Sequence, residues 1–68
     1  MDRLYCYAVL LQPTEEGRKS GERAELIIPP SDWVVAKSEE EVMLIATRKI
    51  PENVMQFADR LEVAVRPF

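Results

Sequence analysis

The residues of this chain best equipped for chemistry are Cys6 and the run Glu39-Glu40-Glu41. A thiol becomes a nucleophile or a metal ligand when a base or further ligands stand beside it. This sequence has one cysteine and no histidine, so the usual base is absent, an intrachain disulfide is impossible and a structural zinc site lacks its ligand types in number. Cys6 sits inside the apolar run 4–11, where a thiol acts as a small buried hydrophobe. Carboxylates can work as an acid–base pair when they converge on one substrate. Consecutive positions on a helix diverge by about 100°, so Glu39, Glu40 and Glu41 read as a helix start and a solvated surface. There is no Gly-rich phosphate loop, no G-x-S-x-G elbow and no dinucleotide fingerprint. The expectation is a chain that is not an enzyme and carries no catalytic residues, no cofactor and no metal.

The elements that position these residues follow from periodicity and punctuation. Residues 4–12 form an apolar run rich in Tyr, Val and Leu that ends at Pro13, as a buried central strand does. Residues 14–22 are polar and broken by Gly17 and Gly21, which predicts a mobile hairpin loop. Residues 23–28 alternate and stop at Pro29-Pro30, because proline cannot donate to a ladder, giving a second strand antiparallel to the first. A turn at Ser31-Asp32 leads to a short third strand over 33–36, whose residues are β-branched and aromatic.

Ser38 with Glu41 is a capping box, the three glutamates occupy the helix end where the dipole favours negative charge, and Arg48 and Lys49 complement the other end. Pro51 stops the helix, which is placed over 39–50, with a short turn over 52–57. Residues 60–66 alternate Leu61, Val63 and Val65 against Glu62, Ala64 and Arg66, a strand with one face on the core and one toward water. The fold class is α+β: one domain over residues 1–68, a small, mostly antiparallel sheet of three to four strands in the order β-β-β-α-β, with one helix on one face. Whether the third strand pairs with the first or the fourth is open.

With 68 residues the chain buries only about 60% of its unfolded surface, and a core that small supplies roughly 3 to 5 kcal/mol without outside help. Oligomerisation or docking onto a larger protein is the aid left open. The net charge of −3, with both signs interspersed, disfavours nucleic acid as a partner. The 4–11 run is too short to span a bilayer and has no Ala-x-Ala cleavage site, so no membrane partner and no secretion are expected. The unpaired cysteine fits a reducing compartment such as a cytoplasm.

Two apolar surfaces exceed what one helix can cover. On the first strand Leu4, Cys6, Ala8 and Leu10 point one way and Tyr5, Tyr7, Val9 and Leu11 the other. On the helix, Val42, Met43, Ala46 and Ile50 share a face with Ile45 at its flank, while Leu44 points away. A monomer rarely exposes a large contiguous apolar patch, and tyrosines make good contact anchors. The expected interface is therefore Tyr5, Tyr7, Val9 and Leu11, extended by Ile27, Leu44 and Phe68, unless the 13–23 loop, the Trp33 region or Phe57 folds over that face. Strand addition at a sheet edge is a further route.

Residues 34–41, Val-Val-Ala-Lys-Ser-Glu-Glu-Glu running into an apolar helix, and the terminal Asp-Arg-Leu-Glu-Val-Ala-Val-Arg-Pro-Phe over 59–68 resemble short bacteriophage-encoded proteins across the second half of the chain. The resemblance implies a small virion-associated or accessory protein and brings no site residues with it. The functional expectation is a structural or protein-interaction module that assembles with itself or a larger protein, as a minor, capsid-associated virion component. The alternative is a small regulatory protein binding a peptide, a ligand or single-stranded nucleic acid, with Arg18, Lys19 and Arg23 on phosphate and Tyr5 and Tyr7 as a stacking platform. A small-molecule partner is disfavoured.

Overall fold

The computed structural model describes residues 1–30 and 33–68; the turn expected at Ser31-Asp32 lies outside the described residues. The chain runs β1 (Arg3–Leu11), α1 (Glu15–Lys19), β2 (Glu25–Ile28), β3 (Trp33–Ala36), α2 (Glu39–Lys49), a 3-10 segment (Glu52–Arg60) and β4 (Leu61–Pro67). It is an α+β domain with a four-stranded sheet in which β1 is central and every pairing is antiparallel.

β4 lies along one edge of β1 in an unbroken register from Tyr5↔Pro67 to Leu11↔Leu61. The other edge of β1 is shared. β3 pairs with its first half, Arg3↔Ala36 to Cys6↔Trp33, and β2 with its last residues. The third strand thus pairs with the first and not the fourth. The β1–β2 register moves from Leu10↔Leu26 to Val9↔Ile28, so Ile27 is the extra residue of a bulge.

α2 forms where capping and charge favour it. The Ser38 hydroxyl accepts from the Glu41 N–H at 3.3 Å, and the Glu41 carboxylate reaches back to the Lys37 N–H at 3.2 Å. The first contact satisfies a donor that the first turn leaves without a helical partner, and the second ties down the residue ahead of the cap. Val42 and Ala46 are fully buried, with Ile45 and Ile50 packed against the core, whereas Met43 stands exposed beside Leu44. The core that α2 closes holds Tyr5, Tyr7, Val9, Ala36, Val42 and Ala46, flanked by Val34, Leu61, Val63 and Val65. Burying a valine such as Val9 or Val42 contributes about 1.5 to 3 kcal/mol, a large share for so small a core.

The 13–23 segment is more ordered than a mobile hairpin loop. Thr14 Oγ1 accepts from the Gly17 N–H at 3.0 Å and starts α1. The helix ends in a Schellman closure, with Gly21 N–H on the Arg18 carbonyl, Glu22 N–H on the Gly17 carbonyl, and Gly21 at φ +89°. The 3-10 segment, longer than the expected turn, breaks at Phe57. Beyond it Gln12 and Arg60 clamp the end of the β1–β4 ladder. The Gln12 N–H donates to the Arg60 carbonyl at 2.8 Å and Arg60 Nη1 donates to the Gln12 carbonyl at 3.1 Å. The Arg60 guanidinium also lies 4.9 Å from the centre of the Phe57 ring, a cation–π contact. Among the described residues no helix is long and apolar enough to cross a membrane.

Candidate functional site

The register of β4 on β1 decides which face of β1 is internal. Leu61, Val63 and Val65 stand opposite Leu11, Val9 and Tyr7, and all six side chains project to the side on which α2 lies. Tyr5, Tyr7 and Val9 are consequently buried, at 6%, 9% and 0% exposure. This corrects the expected interface: the tyrosine face is the inside of the domain. Leu11 and Ile27 are half-buried, and Ile27 packs against the core from its bulge position. Leu44 is exposed on α2, away from the sheet residues it was grouped with. Only Phe68 of the expected set lies on a free sheet surface.

That surface is the opposite face of β1. Leu4, Cys6, Ala8 and Leu10 point outward, and their neighbours across the ladders are Val35 and Trp33 on β3, Leu26 on β2, and Glu62, Ala64 and Arg66 on β4. Leu4, Leu26, Trp33 and Val35 are exposed at 40%, 51%, 46% and 61%. The Phe68 N–H donates to the Leu4 carbonyl at 3.0 Å, which extends the β1–β4 ladder by one pair, and the Phe68 ring meets Trp33 edge-on, centroids 5.3 Å apart. Edge-to-face geometry is the arrangement aromatic pairs favour.

Between Trp33 and β4 runs a groove of about 410 Å³. Cys6, Ala8 and Ala64 supply small side chains to it, and Pro30, Trp33 and Arg66 also line it. Small residues in the middle of a sheet flanked by a large aromatic leave room for one or two apolar side chains from outside. The Cys6 thiol is free and half-buried. Tyr7 and Val65 close its floor, and Arg66 places a charged side chain at its side. No group of three or more His, Cys, Asp or Glu that could hold a metal occurs among the described residues.

The buried Tyr5 and Tyr7 offer no rings for nucleic-acid bases to stack on. The two glutamates at the start of α1 stand within a few residues of Arg18 and Lys19 at its end. The sequence sets Leu4, Cys6, Ala8 and Leu10 on one apolar face but not on the uncovered one, and Trp33, Val35 and Leu26 join that face only through three-dimensional pairing. The signal available was the size difference along β1: the larger residues, Tyr5, Tyr7 and Val9, alternate with Cys6 and Ala8, and the bulkier set gains more by going under the helix.

No family model matches the chain, and neither a curated protein nor a solved structure matches it significantly.

Proposed function

We propose that this chain is a non-enzymatic protein-interaction module that assembles, with itself or with a larger protein, through the outer face of its sheet. One observation carries the reading: Leu4, Trp33, Val35 and Phe68 form a contiguous exposed apolar surface beside a groove lined by Cys6, Ala8, Trp33 and Ala64. Surfaces of this kind on a small domain mark interaction sites; Trp is enriched among binding hot spots and Phe among interface residues. A core of this size also gains stability from whatever it joins, since a partner that binds only the folded form shifts the folding equilibrium.

A virion is the larger assembly favoured by the resemblance of the second half to small phage-encoded proteins. In that setting many copies of a minor protein dock on a repeating shell. The test is Trp33→Asp, which places a charge on the outer face without entering the core. The expected result is an unchanged far-ultraviolet circular dichroism spectrum with loss of co-purification with the native assembly. Retained assembly by a folded Trp33→Asp protein would exclude this face as the contact.

A further inference from the structure

The outer border of β4 carries a second pattern. Phe68 N–H to Leu4 carbonyl at one end and Gln12 N–H to Arg60 carbonyl at the other fix which backbone groups of β4 serve β1. The register between them is continuous, so the even-numbered residues of β4 direct their N–H and C=O groups toward β1. Leu61, Val63, Val65 and Pro67 direct theirs away from it. Among the described residues β4 pairs with no strand except β1. Pro67 has no N–H to present, which suits a residue at the end of a free edge. At the other end the Leu61 N–H donates to the Ala58 carbonyl, so Val63 and Val65 carry the unpaired donors of this border among the described residues, and an unpaired strand edge is a template for another strand.

The sequence of β4 is complementary to itself when reversed. With a two-fold axis at Ala64, antiparallel pairing sets Val63 against Val65 of the other copy, and Leu61 against Pro67. It also sets Glu62 against Arg66 and Arg66 against Glu62. Val63 and Val65 then exchange their outward N–H and C=O groups as hydrogen-bonded pairs. Glu62 and Arg66 fall in the non-hydrogen-bonded positions, where side chains approach most closely, and opposite charges there stabilise a ladder. Moving the axis by one residue to Val63 or Val65 sets one of these charges against Ala64. Moving it to Glu62 or Arg66 sets like charge against like. One register satisfies both charges, and it is isologous, as a closed dimer requires.

We propose that a second copy of this chain pairs with β4 in that register, joining two sheets edge to edge. The inference deepens the reading of the chain as an assembly module and rests on it, naming the partner on the border of the outer face. Glu62, Ala64 and Arg66 all point to the outer side, so the two outer faces become one surface with a groove on each side of the axis. On the inner side Val63 and Val65, half-buried in one copy, cover each other across the new ladder. Glu62 already accepts a hydrogen bond from Gln12 Nε2 at 2.7 Å. A carboxylate has acceptor sites enough for both partners.

The experiment is light scattering on the full chain from about 1 to about 500 µM, a range that covers weak interfaces of modest area. It is run on the wild type, Glu62→Arg, Arg66→Glu and the double swap, each checked for fold by circular dichroism. The wild type should pass from monomer to dimer mass. Each single reversal should weaken dimerisation by about tenfold, because both attractive pairs become repulsive, and the double swap should restore it to within about twofold. A wild type that stays monomeric throughout overturns the proposal. So does a dimer indifferent to the reversals, whose contact then lies elsewhere. Trp33→Asp separates the two ideas: a dimer that survives it while partner assembly is lost supports edge and face together. Monomeric wild type with Trp33-dependent assembly removes the edge and keeps the face.

Discussion

The inner and outer faces of β1 begin from the same material, alternate residues of one apolar strand, and end in opposite conditions. Inside, Tyr5, Tyr7 and Val9 share a core with Val42 and Ala46 of α2. Outside, Cys6, Ala8 and Leu10 are half-buried by their neighbours on the sheet alone, and Leu4 is exposed. The helix makes the difference. Its small residues Val42 and Ala46 allow it to lie close over bulky tyrosines, and bulky under small is how layers interdigitate at native density. With a single long helix, the domain closes the face that carries the tyrosines and leaves the other uncovered, small along the middle of β1 and bulky at Leu4, Leu26, Trp33 and Val35 around it.

That asymmetry breaks most completely where a charge is forced inside. Val9→Asp is expected to abolish the cooperative thermal transition, since an unpaired buried carboxylate costs more than so small a core supplies. Persistence of a sharp transition would mean that the inner face admits water. Tyr7→Ala should destabilise by about 3 to 5 kcal/mol, the range for truncating a buried aromatic, leaving much of the protein unfolded at room temperature in a urea titration. Ser38→Ala, which removes the cap that seats α2 over the inner face, should cost about 1 kcal/mol, and lower Tm by about 4 to 8 °C. The smallest effect belongs to the outer face. Trp33→Ser should change stability by less than about 1 kcal/mol in the same titration, and a loss comparable to that of Tyr7→Ala would show that the two faces are not different in kind.

Most of the fold is legible in the sequence because the local signals agree with one another. Pro13, Pro29-Pro30 and Pro51 bound elements, Ser38 and Glu41 start α2, and the third strand falls at Trp33–Ala36 as the residue types demand. The α1 helix escaped notice because Gly17 and Gly21 read as loop glycines. Gly17 is instead buried, its N–H held by Thr14, and Gly21 supplies the left-handed residue of a helix stop. The functional surface was harder to see for a different reason. When both faces of a strand are apolar, a shift of register by one residue exchanges inside for outside. No hairpin links β1 to β4 to fix that register, and the pairing at Gln12 and Arg60 that sets it joins residues far apart in the chain. Tyrosine content therefore pointed to the wrong side, although the presence of an uncovered side was readable.

The edge of β1 opposite β4 is divided between β2 and β3, four residues each, with Pro29 and Pro30 in the connection. A strand arriving on that side would find two short stretches in place of one continuous template, next to residues that cannot donate a main-chain hydrogen bond. Runaway addition of copies, the hazard that leads sheets to fibres, requires two receptive borders on every molecule. With one continuous border on β4 and a divided one opposite, strand addition in the proposed register would stop at a pair, adhesive without becoming a polymer.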